Sequence, residues 1–534
     1  MVELTFYGGV NEIGGNKILL EDGGRSLLLD FGFPYKRHKQ FYEEYLRPRS
    51  GAGLLDPLAV GLLPPLEGLY RADLETPELW PPFRGRPHYR RLEAVDGVLL
   101  SHAHLDHSGH IAFLREDIPV YATAVTAFIA KAVQDSGRAD FDQQVCYYSP
   151  TARDCPAGWQ QAACLTTGDK RQRRFCLADV DPADLSPAAH LFWERGFWEK
   201  TGRQREVISC PLDGHTGSPF KLRCFPVDHS IPGAAAWGIE TGAGWVVYSG
   251  DLRRHGKRAA LTAGFVAAAA RLHPRALVLE GTNLARQSNI GEPEVYRNGL
   301  RAIAGAGGLV IADFSARDVD RLLTFHRIAR DTGRKLAILP KDAYLLKTVG
   351  LLEPDIPDPI RDENLVVYQK TTASRSPDIW QRRIFEEMAA KTVLARDIRA
   401  DPGQFILCFS FFDLNELPSL QPGPGSLYVF SSSEPHDEEQ EIDFRRLHRW
   451  LEHFGIRGFG LPRESGGEWR IPEDEQGLHA SGHACGPDLV AIAREIAPEV
   501  LIPVHSEQAY LYREYLKGSG IRVVLPEPEG TVVI

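Results

Sequence analysis

Residues 97–110, GVLLSHAHLDHSGH, run a short apolar segment straight into four histidines and one aspartate. An apolar run this short, bounded by a turn, reads as a buried strand. Side chains alternate along an extended chain, so His102 and His104, on either side of Ala103, point the same way. Asp106 and His107 follow in the turn and face a neighbouring point. Imidazole and carboxylate together suit zinc, and also manganese or iron. Four such groups crowded together and holding nothing would be costly to keep. The packet therefore reads as two adjacent ligand pairs, His102 with His104 and Asp106 with His107. A lone histidine here would be read as an ordinary core or surface residue.

The chain has 534 residues, so two to four domains are expected. Its composition, 43% hydrophobic and 25% charged, is that of a globular protein. It contains no apolar run of the ~18 residues that span a bilayer. The start, MVELTFYGGVNEIGG, lacks the basic and apolar regions of a signal peptide, so a cytoplasmic location is expected. A net charge of −10 argues against a general nucleic-acid coat protein. It does not argue against a nuclease, because a metal-loaded cleft carries its own positive charge. The basic run KRQRR at 170–174 is expected to be a solvated surface loop. Six of the eight cysteines lie from Cys146 to Cys224, with no CxxC pair, so buried free thiols are expected rather than a zinc finger.

LTFYGG, NKILLEDGG and RSLLLDFG read as strands ending in Gly-rich turns. Residues 34–92, rich in Pro, Gly, Tyr and Arg, read as a long loop region with a little helix. The stretch 138–216, rich in Cys, Trp, Pro and Gln, reads as an inserted subdomain. Strands resume with KLRCFPVDHS, AWGIETG, WVVYSGD and ALVLEGTN. From about 301, strands such as GLVIADFS, KLAILP, QFILCFS and SLYVFSSS alternate with helices, which implies a parallel α/β sheet. LVAIAREIAPEVLIPVHSE is a helix and then a strand stopping at a histidine.

The HxHxDH packet resembles the signature of the metallo-β-lactamase superfamily. That resemblance implies an αββα sandwich and three further metal ligands in chain order. They match His229 in VDHSIP, Asp251 in VVYSGD and His505 in IPVHSE, with Asp251 bridging two metal ions. The cofactors implied are two zinc ions, with manganese as the alternative. A metal pair activates water and polarises an electrophile, so hydrolysis is the expected reaction class.

The extra α/β segment between VLEGTN and ASGHA resembles the β-CASP group, whose members cut nucleic acids. The fold class expected is α/β, an αββα sandwich with an inserted β-CASP parallel α/β domain. The expected domains are 1–300, with the insertion 138–216 inside it, then 301–476 for β-CASP, and 477–534 for the end of the sandwich. The group's motifs match Glu280 (followed by Gly281 where Ser is commoner), His483 in ASGHA, and His505. In this group the histidine form of the last motif accompanies RNA. GGVNEIGGN, HSIPG, VFSSSEP and the ASGHA to IPVHSE spacing resemble the RNase J family over most of the chain, with gaps. The resemblance implies a ribonuclease of endo- or 5′-exonuclease mode. His483 would give a proton to the leaving 3′-oxygen, Glu280 would orient it, and Asp106 would be both ligand and catalytic residue. Ser431, Ser432, Ser433, Ser481 and Gly482 would contact phosphates. The partner implied is RNA, with no membrane; a protein partner could use the 138–216 insertion, and the oligomeric state is open.

The chain departs from the RNase J pattern in three places. The Cys-rich insertion is one. CFSFFDLNELPS stands where RNase J has a Gly-rich turn. Only 29 residues follow His505, so that family's C-terminal dimerisation domain is not expected. Three competing readings remain: DNA as substrate, a small-molecule (thio)ester hydrolase using only the metal packet, and a non-catalytic RNA-binding protein. All seven ligand positions carry good ligands, which counts against the last.

Overall fold

A computed structural model describes the chain except for residues 44, 77, 138–140, 151–169, 199–206, 209, 215–216, 316, 372–377, 434–437 and 467. It divides into two compact units. One comprises Met1–Arg254, Arg258–Ser288 and His483–Ile534; the other comprises His255–Lys257 and Asn289–Gly482.

The first unit is built on two sheets. The eight-stranded sheet runs, edge to edge, Asp213–Gly214, Phe175–Leu177, Val120–Ala122, Val98–Leu99, Arg25–Phe31, Lys17–Asp22, Val2–Gly8 and Thr531–Val533. The six-stranded sheet runs Lys221–Pro226, Ala235–Thr241, Gly244–Tyr248, Ala276–Glu280, Val500–Val504 and Arg522–Val523. Continuous apolar runs such as Leu27-Leu28-Leu29 are what a strand buried on both faces requires. Leu27 and Leu29 meet Tyr248, Val278 and Ile502 in the core between the sheets. The alternate residues Val247, Leu277 and Leu501 form a second core with the helices Ala259–Ala270 and Gly486–Ile496. The first helix buries Thr262, Phe265, Val266 and Ala269, the spacing of one helical face. The short helix Leu105–Ser108 lies against strand Arg25–Phe31 and the helix Ala124–Asp135 against strand Phe175–Leu177. Helix, sheet, sheet and helix make the αββα sandwich.

The 138–216 insertion is not wholly separate. Strand Phe175–Leu177 pairs in parallel with Val120–Ala122, and Asp213–Gly214 pairs in parallel with Phe175–Leu177, which extends the large sheet. The expected surface loop at KRQRR is corrected here. Lys170–Gln172 is a strand, and Arg173 is buried, donating to the carbonyls of Ala112 and Leu114 at 2.8 Å each. Arg171 and Arg174 pair with Glu116 and Asp213. Cys146 and Cys176 are buried free thiols, and burial pushes the Cys176 thiol up to about 11. Cys155, Cys164 and much of the surface expected to meet a partner lie outside the described residues. Among the described residues, no helix is long and apolar enough to cross a membrane.

The second unit holds a seven-stranded, all-parallel sheet. Its order is Thr392–Val393, Leu365–Tyr368, Lys335–Ile338, Phe405–Cys408, Val310–Asp313, Leu427–Phe430 and Arg457–Phe459. The unit is wider than the 301–476 expected from the alternation, because helix Glu292–Ala304 packs on Val319–Asp331 and joins this core. In CFSFFDLNELPS a capped turn replaces the glycines: Asp413 accepts from the Ser410 N–H at 2.8 Å and its hydroxyl at 2.9 Å.

A buried ion pair ties this unit together. Arg321 donates to Glu292 at 2.9 Å, to the carbonyls of Leu478 (3.1 Å) and Ala480 (3.2 Å), and to the Ser431 hydroxyl (2.7 Å). Removing one partner of a buried pair leaves the other charge uncompensated. Arg321→Ala is therefore expected to cost about 3–5 kcal/mol. A fall in the urea midpoint of the second unit's transition, at unchanged slope, measures it.

Candidate metal centre

Five segments converge on one point of the first unit. Strand Val98–Leu99 ends in the packet, where Leu105 opens a short helix that carries Asp106 and His107. His229 follows strand Lys221–Pro226, Asp251 follows Gly244–Tyr248, and His505 follows Val500–Val504. Strand ends gather functional groups because the next residues leave the sheet together. Asp228 fixes its neighbour His229: it accepts from the buried Arg253 at 3.1 Å, and its N–H bonds the Thr262 hydroxyl at 2.9 Å. His505 itself adopts a positive φ of 53°, costly for a histidine, and its N–H bonds the Gly9 carbonyl at 2.7 Å.

The seven expected ligands come together. His102 Nε2 is 3.0 Å from His104 Nδ1, which is 3.2 Å from His229 Nε2. His505 Nε2 is 3.4 Å from Asp106 Oδ2, and His107 Nε2 is 3.8 Å from it. Asp251 Oδ2 stands between the two groups, 3.1 Å from His107, 3.7 Å from His102 and from His505, and 4.0 Å from His229. Donor atoms of His102, His104 and His229 lie within 4.8 Å of one another, as do those of Asp106, His107 and His505. His107 Nε2 and Asp251 Oδ1 are buried with no well-aligned hydrogen-bond partner. Buried polar atoms in that condition are what an absent cation would satisfy. The donor set fits a metal site.

Electrostatics follow from this crowding. Burial drives His102 well below its ordinary range, and the neighbouring imidazoles push it further, so it is a neutral ligand. For His107 burial acts the same way, but Asp251, Asp106 and Asp30 outweigh it and hold the ring well above that range. Burial would raise Asp106; His107 and His505 overcome it and keep the carboxyl below the usual range.

Glu280 and His483 form a pair beside this cluster. Glu280 accepts from the Leu252 N–H (3.0 Å) and the Thr282 N–H (3.2 Å). His483 Nδ1 lies 3.0 and 3.1 Å from its two oxygens and 3.9 Å from Asp251 Oδ2. Burial alone would lower His483, but Glu280 and Asp251 outweigh it and hold the ring at about 9. A side chain at Gly281 would press on Ser506 at 3.0 Å, so the commoner serine has no room here without movement of Ser506.

Of the expected phosphate contacts, Ser431 is corrected. It is buried, and its hydroxyl donates to Leu478 while accepting from Arg321. Ser432, Ser433 and Gly482 are half-buried, and Ser481 is buried with its carbonyl accepting from His255 at 2.9 Å. His110 is buried among Phe31, Phe33 and Phe113 and is a packing residue. His436 lies outside the described residues.

Asp30, Tyr248 and Thr282 escaped the sequence reading. Asp30, at φ 55°, is the extra residue of a bulge: Lys17 pairs with Phe31 and Ile18 with Leu29. The bulge re-aims its carboxylate out of the ladder. Asp30 then accepts from His107 Nδ1 (2.7 Å), the Ser101 N–H and hydroxyl (2.7 Å each) and the Tyr248 hydroxyl (2.6 Å). A carboxylate on the far nitrogen fixes the tautomer that presents Nε2 to a metal. Thr282 does the same for His505, its hydroxyl 2.8 Å from Nδ1. The available signal was a charged residue in the apolar run LLLDF. Asp30→Asn is expected to weaken metal affinity about 10–100-fold, read by competition with a chromophoric chelator.

With this geometry in hand, similarity to known proteins takes on meaning. Residues 66–164 match the Beta-lactamase superfamily domain, and residues 474–526 match the Zn-dependent metallo-hydrolase RNA specificity domain. The chain is 22% identical to Ribonuclease J of Mycolicibacterium smegmatis over 518 residues, 96% of this chain and 70% of the relative. It is 26% identical to Ribonuclease J of Sinorhizobium meliloti over 323 residues, 55% of this chain and 47% of the relative. A crystal structure of a protein of unknown function from Enterococcus faecalis V583 has the same fold, with a TM-score of 0.64, 20% identity and full coverage of both chains. The chain carries a metallo-β-lactamase superfamily domain and a Zn-dependent metallo-hydrolase RNA specificity domain, and it is similar to Ribonuclease J over nearly all its length.

Proposed function

We propose that this chain is a metal-dependent ribonuclease that hydrolyses RNA phosphodiester bonds in the cytoplasm. The observation that carries the reading is the His483–Glu280 pair beside the seven-donor cluster. A small-molecule hydrolase needs the cluster alone and leaves that pair unused. Similarity to Ribonuclease J along the chain supports RNA as the substrate.

Two zinc ions are the cofactors we infer. His102, His104, His229 and Asp251 would hold one; Asp106, His107, His505 and Asp251 would hold the other. Bound there, they supply an acidified water and positive charge against the phosphoryl group. Asp106, kept ionised, orients the attacking water by accepting a hydrogen bond. His483 is charged at neutral pH, and with Nδ1 held by Glu280 its Nε2 is the atom that gives a proton to the departing 3′-oxygen. Glu280 holds that ring in place and keeps it charged. Ser432, Ser433, Ser481 and Gly482 belong to the second unit and are proposed to meet phosphates of the bound strand.

Cleavage of matched, end-labelled RNA and DNA tests the reading. RNA is expected to be cut faster, and faster DNA cleavage would move the substrate assignment. Comparing 5′-monophosphate, triphosphate and hydroxyl ends resolves the mode: product lengths separate endonuclease from exonuclease action.

A further inference from the structure

Loop 9–16, GVNEIGGN, leaves strand Val2–Gly8 and carries one buried charge. Glu12 is 6% exposed, although its neighbours Asn11 and Ile13 are open to solvent. A carboxylate turned inward on a surface loop is costly unless it is paired. Glu12 Oε1 accepts from the Gly9 N–H, which closes the start of the loop, and from Arg37 of helix Tyr35–Phe41, each at 3.2 Å. Lys17, buried just past the loop, feels the same carboxylate: burial lowers its amine to about 7, against the pull of Glu12. Glu12 thus ties the loop to itself and to a neighbouring helix.

What the loop touches is one half of the donor cluster. The Gly9 carbonyl accepts from the His505 N–H at 2.7 Å, and Val10 bridges to Ser506. The left-handed backbone of His505 persists only where its surroundings over-determine it. Gly14, at φ 79°, lies so close to Asp106 that a Cβ would meet the carboxylate at 2.8 Å. The Asn16 N–H donates to the Asp106 carbonyl at 3.2 Å. The Asn16 side chain donates to the Tyr248 hydroxyl at 2.9 Å, which donates to Asp30, the partner of His107. Asp106, His107 and His505 form one of the two donor triads. The other, His102, His104 and His229, draws on different supports. His102 Nδ1 lies 3.0 Å from the Ser101 hydroxyl, and Asp228, next to His229, is held by Arg253.

We propose that Glu12 is a positioning residue for one half of the metal centre: by anchoring loop 9–16 it fixes Asp106, His107 and His505 and sets how tightly that triad holds its ion. This rests on the two-ion reading above. An unanchored loop lets Asp106 and His505 take more orientations, and ordering them again is subtracted from the binding free energy. Supports of this kind are typically worth about 10–100-fold in metal affinity.

The test is competition for zinc between the full chain and a chromophoric chelator, in two backgrounds. His104→Ala leaves the Asp106–His107–His505 triad complete, and Asp106→Ala leaves the His102–His104–His229 triad complete. Adding Glu12→Ala to His104→Ala is expected to weaken zinc binding about tenfold or more. Adding it to Asp106→Ala is expected to change binding less than about twofold, because that triad does not rest on the loop. Equal losses in the two backgrounds, a loss confined to Asp106→Ala, or no loss in either overturns the proposal. Arg37→Ala removes the partner of Glu12 from outside the loop. It is expected to reproduce the same selectivity with a smaller factor, and it decides the matter if the urea midpoint shows that Glu12→Ala does not fold. Equal weakening of both backgrounds by Arg37→Ala then overturns the proposal. A wild-type chain that takes up one ion at most overturns the two-ion reading itself, and the proposal with it.

Discussion

Asp251→Ala is expected to empty the metal centre and lower RNA cleavage by more than about a thousandfold, the several kcal/mol that bound catalytic metal supplies. The size follows from position. One oxygen of Asp251 lies within 4.0 Å of His102, His107, His229 and His505, so this carboxylate reaches both ligand groups. It is also among the charges that hold His107 above its ordinary range. Without it, buried imidazoles face each other with too little negative charge to balance a divalent metal. Metal per chain, measured after gel filtration, is the direct readout, with the urea midpoint as a check on folding. A variant that retains its metal and cuts within tenfold of the wild type would remove Asp251 from the centre.

His483→Ala is expected to slow cleavage about 10²–10⁴-fold while leaving metal content unchanged, if His483 has the proposed role of proton donor. The two losses are thus distinguishable in one pair of measurements. The pH dependence carries more information than the rate alone. In the proposed role His483 acts as its protonated form, held at about 9, so activity is expected to persist through neutral pH and fall as pH rises through 9. Glu280→Gln removes the carboxylate that opposes burial. The alkaline limb is then expected to move down in pH, toward and past the ordinary histidine range near ~6.5. A profile whose alkaline limb ignores Glu280→Gln would assign the proton to another group.

The local part of this centre was legible in the sequence. HxHxDH is contiguous and directly follows an apolar strand, so period-two geometry alone pairs His102 with His104. His229, Asp251 and His505 were legible at one remove, through the resemblance to the superfamily, which asks for a His, an Asp and a His in that order. What stayed hidden was set by register. Asp30 looks like one more residue of LLLDF, and only the slipped pairing with Lys17 and Ile18 turns its carboxylate onto His107. Thr282 and Tyr248 sit in ordinary motifs, and their partners, His505 and Asp30, lie more than two hundred residues away. KRQRR misled for a related reason. Composition reports charge but not direction, and Arg173 turns inward to the carbonyls that end the segment after His107. The compact α/β unit takes in Glu292–Ala304 because a helix belongs to whatever it packs on, and this one packs on Val319–Asp331.

The order of the strands in the six-stranded sheet has a consequence for synthesis. Val500–Val504 lies directly beside Ala276–Glu280, and the main segment of the second unit, Asn289–Gly482, is made between them. A growing polypeptide therefore displays its histidine packet hundreds of residues before His483 and His505 emerge. The sheet position that will carry His505 stays vacant throughout that interval. A protein that cuts RNA is built on a machine made of RNA and is read from a message. Chain order lets the metal centre be completed only after the segment Asn289–Gly482 has been made.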